Sequence, residues 1–306
     1  MTTDDTAELA GASIAAHTKS TRLRRRAVAK AITYAFLTLW AAAFLLPLYV
    51  MLVTSFKSMD EIRGGSMLAL PQVFDPSPWV IAWSSACTGI ECGGVRVGFW
   101  NSVVTVVPAV AGTLALGLVS GYGFALSRLA LRKVVFIALM FGTFLPWQFF
   151  VFPLGRIYSA VGIYGSLWAI WITHIFFCMP ITALLFKNYF ESLPAEIIKA
   201  ARVDGAGFLQ LLWYVLLPMS GPIAAVAAIL NVTLIWNNFL VGLVFGGREW
   251  FPMTVQLNNI VNSQLGEKAY NVNMAATILT AAVPLAIYFF SGRWFIRGIS
   301  AGAVKG

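Results

Sequence analysis

Long apolar stretches separated by short polar ones set the pattern of this chain. They run from about Val28 to Thr54, Phe99 to Leu126, Val134 to Pro153, Tyr164 to Phe186, Met219 to Phe245 and Met274 to Ile296. A helix needs roughly 20 mainly apolar residues to cross a bilayer, and each stretch reaches that length. Their apolarity is continuous and does not alternate every second residue, so they predict helices and not barrel strands. The expected fold class is an all-α integral membrane protein with six spans in one domain, residues 28 to 298. Composition agrees: of 306 residues 59% are hydrophobic and 11% charged, and the mean hydropathy is +0.80, outside the range of soluble domains.

Charge orients the spans, because Lys and Arg flanks are retained on the cytoplasmic side. If both termini and the even-numbered gaps lie inside, then of the 21 Lys and Arg residues only Lys57, Arg63, Arg96, Arg156, Arg248 and Lys268 fall outside. Those are matched by Asp60, Glu61, Asp75, Glu91, Glu249 and Glu267, so the formal net charge of +9 reflects topology and not nucleic-acid binding. Both termini are therefore expected in the cytoplasm. Membrane lipid is an expected partner of the basic run from Arg22 to Lys30, where each cation near an anionic leaflet contributes about 1 kcal/mol. Residues 1 to 27 are expected to form a disordered basic cytoplasmic tail, and residues 299 to 306 a second tail. The apolar run from Val28 is too long for the h-region of a cleaved signal peptide.

None of the 12 acidic residues falls in a predicted span. Intramembrane carboxylates persist mainly where protons, cations or charged cargo are handled, so their absence argues against a proton- or sodium-coupled carrier and fits an uncharged cargo. Neutral polar groups occupy the spans instead. Asn231, Trp236, Asn237 and Asn238 in the fifth span and Gln148 in the third are candidates to line a path for hydroxyl-rich rings; helix-to-helix hydrogen bonding is the competing role. His174, in the fourth span, reads as a packing or pore-wall residue. No phosphate-binding loop of the G-x-x-x-x-G-K-[ST] type occurs, so any nucleotide-derived energy must come from another chain.

The polar segment 192 to 218 lies between spans four and five. It contains LPAEIIKAARVDGAGFLQLLWYVLLP, with Pro194 suited to a first helical turn and Gly205 suited to the left-handed residue that ends a helix. Two short helices meeting at Asp204 and Gly205 are expected. Ala200, Ala201, Asp204, Gly205, Ala206 and the Leu217-Pro218 pair resemble the E-A-A-x-x-D-G-A segment, with its downstream L-P, of the permease subunits of ABC importers. Lys199 stands where that pattern has Glu. The FWNSVV run at 99 to 104, and Arg293-Trp294-Phe295 with GISAGAVKG at 298 to 306, are similar to maltose-type, carbohydrate-uptake permeases.

The resemblance implies a non-catalytic subunit forming half of a sugar pathway in a bacterial or archaeal inner membrane. It implies a second homologous permease, an ATPase homodimer carrying ATP and Mg²⁺, and an extracytoplasmic sugar-binding protein. No cofactor and no metal are expected in this chain. Glu196, Lys199, Ala200, Ala201, Arg202, Asp204, Gly205 and Ala206 are the expected ATPase-coupling residues. Glu249, Trp250, Gln256 and Asn258, in the outer segment 246 to 273, are the expected receptor contacts. A weaker likeness of the stretches ACTGIECGGVRVGFWNS and YNVNMAATI to glucose and mannose permeases favours a monosaccharide. Rival functions are an ATP-independent carrier or facilitator and a membrane scaffold.

Cys87 and Cys92 fall in the first outer segment, on the oxidising side. A disulfide there would stabilise by about 2 to 3 kcal/mol; two free thiols or a metal site are the alternatives. Cys178 reads as a small apolar core residue.

Overall fold

The computed structural model describes residues 26–89, 91–127, 130–262 and 268–292. The expected tail 1 to 27 lies outside them except for Arg26 and Ala27. So do the tail 299 to 306 and the motif residues from Arg293 onward. Among the described residues the chain is helical, and four helices are long and apolar enough to cross a membrane: α1 (Thr3–Thr54, apolar over Arg26–Thr54), α4 (Arg96–Leu126), α7 (Leu167–Ser192) and α14 (Tyr270–Ala303, apolar over Tyr270–Gly292). Short α2 (Met59–Gly64) and α3 (Ser77–Ser84) fill the segment after α1.

The third expected span, Val134 to Pro153, is not one rod. It is α5 (Arg132–Phe144) and α6 (Gln148–Ala160), bent by 105°. Pro146 accounts for the break: it disfavours helical geometry at the residue before it, and Leu145 is extended at φ −72° and ψ 130°. The fifth expected span, Met219 to Phe245, is also divided, into α11 (Gly221–Trp236) and α12 (Phe239–Phe245). The Asn238 side chain accepts from the Val241 N–H at 2.9 Å and so starts a new helix where a continuous one was expected.

The most extensive helix pair is α4 with α7. Small residues explain the close approach. A Cβ placed on Gly112, Gly117 or Gly121 would lie 2.6 Å from Ile175 Cδ1, 2.5 Å from Thr182 Cγ2 and 2.6 Å from Phe186 Cβ respectively. Without a hydrophobic force between helices in lipid, such backbone proximity supplies the dispersion that holds them together. α1 stands largely clear of the other helices, with Phe36, Trp40 and Phe44 in edge-on and tilted contact along an exposed face.

The segment after α1 is a small packed cap. Phe56 stacks on Phe74 and Trp79 at 4.3 and 5.3 Å, and Trp79 Nε1 donates to Ser55 Oγ at 3.1 Å. Asp75 accepts from the Ser77 N–H and hydroxyl at the start of α3, and these bonds hold its carboxyl below the usual value. Lys57 is 1% exposed; its Nζ donates to the Ser66 carbonyl oxygen, and its own carbonyl accepts from Asn271 Nδ2.

Candidate coupling elbow and polar interior

The polar segment folds as the expected elbow. α8 (Ala195–Val203) carries Glu196 in its first turn and Arg202 in its last, each sign opposing the nearby end of the helix dipole. Asp204 caps it and Gly205 follows at φ +85°. The Ala206 N–H then bonds the Ala201 carbonyl at 2.9 Å and the Gly205 N–H bonds that of Arg202 at 3.1 Å. These are the paired bonds of a Schellman closure, which needs a left-handed residue at this position. The chain reverses into α9 (Phe208–Gln210), where the Gly207 N–H donates to Gln210 Oε1 at 2.8 Å.

A π-helical turn, Leu211–Leu216, follows, and then α10 (Leu217–Met219). Pro218 explains the widened turn: it has no N–H, and its ring crowds the carbonyl four residues back, so the chain admits one extra residue per turn. The Leu217 N–H accordingly reaches Leu212. The run Phe208–Met219 meets α11 at 76°. At that corner the Tyr189 hydroxyl of α7 donates to the Met219 carbonyl at 2.6 Å.

The inner face of the elbow is anchored in apolar contact. Ile198, Leu211, Leu212 and Leu216 are buried in one cluster with Tyr122 of α4 and Phe186 and Phe190 of α7. The outer face is open. Glu196, Lys199, Ala200, Arg202, Asp204 and Gly205 are exposed, Val203 is 87% exposed, and Ala201 and Ala206 are half-buried. The segment therefore has one face seated on the transmembrane bundle and one presented outward.

The expected path residues divide. Asn231 is 3% exposed and donates to Thr182 Oγ1 of α7 at 2.9 Å and to the Ala227 carbonyl at 2.8 Å. Trp236 is also buried, and its Nε1 donates to the Thr280 carbonyl of α14 at 3.1 Å. Both are thus committed to helix contacts and do not line an open path in this state. Asn238 is half-buried and serves as a helix cap, whereas Asn237 and Gln148 are exposed. His174 is buried in α7.

In the segment between α3 and α4 a disulfide joins Cys87 and Cys92, removing the free-thiol and metal alternatives for this pair. The Thr88 N–H bonds the Glu91 carbonyl at 2.7 Å inside its loop. The segment 246 to 273 contains a helix, α13 (Met253–Asn262), which the sequence reading did not anticipate. Asn101 and Ser102, from the FWNS run, pin it: Asn101 Nδ2 donates to the carbonyls of Glu249 and Phe251 at 2.9 and 3.1 Å, and Ser102 Oγ accepts from the Met253 N–H at 2.9 Å.

Of the expected receptor contacts, Glu249 is exposed, Trp250 is half-buried against the Tyr158 and Phe245 cluster, and Asn258 is bonded to Asn262. Gln256 is buried and lines a polar cavity of about 230 Å³ with Thr88, Glu91, Arg248 and Asn259. Lys57, Tyr122 and Thr182 are structural residues that sequence reasoning missed. Their partners lie far away in sequence, and no local motif marks them.

Residues 112–301 match the family described as binding-protein-dependent transport system inner membrane component. The chain is 33% identical over 218 residues to the osmoprotective compounds uptake permease GgtD of Synechocystis sp., covering 71% of this chain and 72% of that one. It is 28% identical to the glucose import system permease GlcU of Saccharolobus solfataricus, covering 92% and 99% of the two chains. Its fold is similar to a chain of a bacterial ABC transporter that imports the acidic polysaccharide alginate, with a TM-score of 0.72, 22% identity, and 86% and 94% coverage.

Proposed function

From the premise that this chain belongs to the family of binding-protein-dependent transport system inner membrane components, we propose that it is the permease subunit of a sugar importer. It is a non-catalytic membrane subunit, and ATP hydrolysis belongs to a partner ATPase. In the proposed assembly it pairs with a second, homologous permease above an ATPase homodimer that carries ATP and Mg²⁺, and an extracytoplasmic sugar-binding protein delivers the cargo.

The observation that carries this reading is the two-faced elbow. Its inner side is packed into α4 and α7, and its outer side offers Glu196, Lys199, Ala200 and Val203 as a seat for a motor. Closure of the ATPase dimer would push the elbow inward and shift α7 and α11 with it. Receptor docking and ATP binding would together favour the outward-facing state. Hydrolysis would then reset it.

Co-purification tests the docking role. The wild-type chain is expected to retain the ATPase, and Gly205→Asp or Asp204→Lys to lose it. Intact ATP-driven uptake after either change would overturn the assignment.

The finer cargo reading is a monosaccharide such as glucose or mannose, supported by the likeness to a glucose import permease and by apolar stretches whose only acidic residue, Glu191, lies at the very end of α7 and is paired with Lys187. Binding of glucose, mannose and a disaccharide to the cognate receptor tests it. Tighter binding of the disaccharide would exclude it. Both termini in the cytoplasm remain part of the proposal, and labelling of single cysteines from each side of sealed vesicles checks them.

A further inference from the structure

The polar cavity of about 230 Å³ is walled by two parts of the chain that are far apart in sequence. Arg248, Phe251 and Gln256 come from α13 and the segment before it, and Thr88 and Glu91 from the disulfide loop. All five lie outside the candidate spans. Both walls are held in place. Asn101 and Ser102 of α4 pin the first, which also packs on Gly98, where an added Cβ would lie 2.7 Å from Gln256 Cγ. In the second, the Thr88 N–H and hydroxyl both bond the Glu91 carbonyl, at 2.7 and 3.1 Å, and the Gly94 N–H bonds the Ala86 carbonyl at 2.9 Å.

Gln256 is 5% exposed, its stem is held against Gly98, and its amide bonds to no described residue. A buried amide without a partner in the chain destabilises a fold, so a molecule that enters the cavity accounts for its position. Glu91 and Arg248 are exposed, and neither forms an ion pair with a described residue. The lining thus offers one carboxylate, one guanidinium and one amide, with Phe251 as its one described aromatic residue.

The two opposite charges cancel, so an ion gains little on entering. A neutral polyol gains more. Each of its hydroxyls both donates and accepts, as the amide does, while the carboxylate only accepts and the guanidinium only donates. The cavity is smaller than the ~300 to 1,000 Å³ of sites for drug-sized ligands, which limits it to one ring.

We propose that this cavity is a sugar subsite that takes one uncharged pyranose ring, separate from any path through the spans. It rests on the reading of the chain as a sugar-importer subunit. Burial removes Gln256 from the surface that a docked receptor covers, and its amide serves the cargo and not the protein that delivers it. On the orientation proposed above the subsite is on the entry side, where it holds the ring between release from the receptor and passage between the helices.

The test uses the full chain, with the subunits it is expressed with, in nanodiscs without receptor or nucleotide. The probe is glucose carrying a photoactivatable diazirine, and labelled peptides are mapped by mass spectrometry. Label is expected on α13 and the disulfide loop. Excess glucose should compete it away, whereas glucuronate, a similar ring with a charge, should compete far less well. Gln256→Leu should lower labelling about ten-fold, the loss of the bonds to one hydroxyl. Its thermal unfolding temperature should stay at or above that of wild type, because the change removes a buried amide that has no partner in the chain. Glu91→Gln, on an exposed residue, should lower labelling about five-fold and let glucuronate compete as well as glucose. Glu249→Gln, exposed but outside the lining, should leave labelling unchanged.

Absence of label from both walls in the wild type would leave the cavity to solvent and overturn the proposal. Glucuronate competing better than glucose in the wild type would give the site to an anion and overturn it too. A destabilised Gln256→Leu, or one labelled as strongly as wild type, would do the same by showing that the amide serves the fold or nothing. The readout needs neither receptor, nucleotide nor uptake. Failure of the intact assembly to take up any sugar with ATP would instead sink the importer reading, so the two failures are distinguishable.

Discussion

The Tyr122 hydroxyl donates a hydrogen bond to the Phe208 carbonyl oxygen at 3.2 Å, and their rings lie 4.2 Å apart. Through this pair, the second helix of the elbow bears directly on α4, a span that the chain reaches 86 residues earlier. Displacement of the elbow is thus felt outside the two helices to which it is covalently attached.

Tyr122→Phe keeps the ring contact and loses one hydrogen bond, a cost of about 1 kcal/mol. Tyr122→Ala also empties a buried site, at about 3 to 5 kcal/mol. Thermal unfolding in detergent should rank them wild type, then Phe, then Ala. ATP-driven uptake should fall further than stability alone explains in the Ala variant. Matching losses of folded protein and uptake would show that the contact only stabilises.

Gly205 has open space around an added Cβ within this chain, so inside the chain its substitutions act through backbone strain. A side chain at its φ of +85° costs about 1 to 2 kcal/mol. Asn tolerates the left-handed region better than Ala, and a β-branched residue tolerates it least. ATPase retention on co-purification should therefore fall in the order Gly205, Asn, Ala, Val. A Val variant as well coupled as wild type would refute the Schellman closure.

Asn231 and Thr182 should be energetically coupled across α11 and α7. Asn231→Leu and Thr182→Val each remove the same 2.9 Å bond, so the double variant should be less destabilised than the sum of the two. Intramembrane bonds of this kind contribute typically about 0.6 kcal/mol. A coupling energy indistinguishable from zero in a double-mutant cycle would show that the pair is merely adjacent.

Reduction should open the Cys87–Cys92 loop, and the wild-type chain should change mobility on a gel with reductant while Cys87→Ser does not. On the chain-entropy estimate the bond stabilises by about 2 to 3 kcal/mol. Identical behaviour of the two chains would exclude the bond in cells.

Much of this was legible from one residue type at one place. Gly205 after an alanine-rich helix announces a C-terminal closure because few other residues adopt its conformation cheaply, whereas the FWNS run carried a family likeness but gave no sign that Asn101 would hold the carbonyls of Glu249 and Phe251. The bent third span was missed because apolarity outweighed Pro146, although a proline limits its preceding residue whatever the hydropathy. The break at Asn237 and Asn238 was missed because amides in a span were read for cargo and not for helix capping. Asn231 turned inward for a reason outside its own segment: Thr182 lies 49 residues away, and only the packing of α7 on α11 brings it there.

The three glycines of α4 that admit α7 carry a mechanical consequence. Where a single methyl group would already collide, the two helices cannot roll past one another without first separating, so they travel as one plank. On the proposed coupling, a push at the elbow would therefore carry α4 along with α7, although the chain joins the elbow to α7 and not to α4.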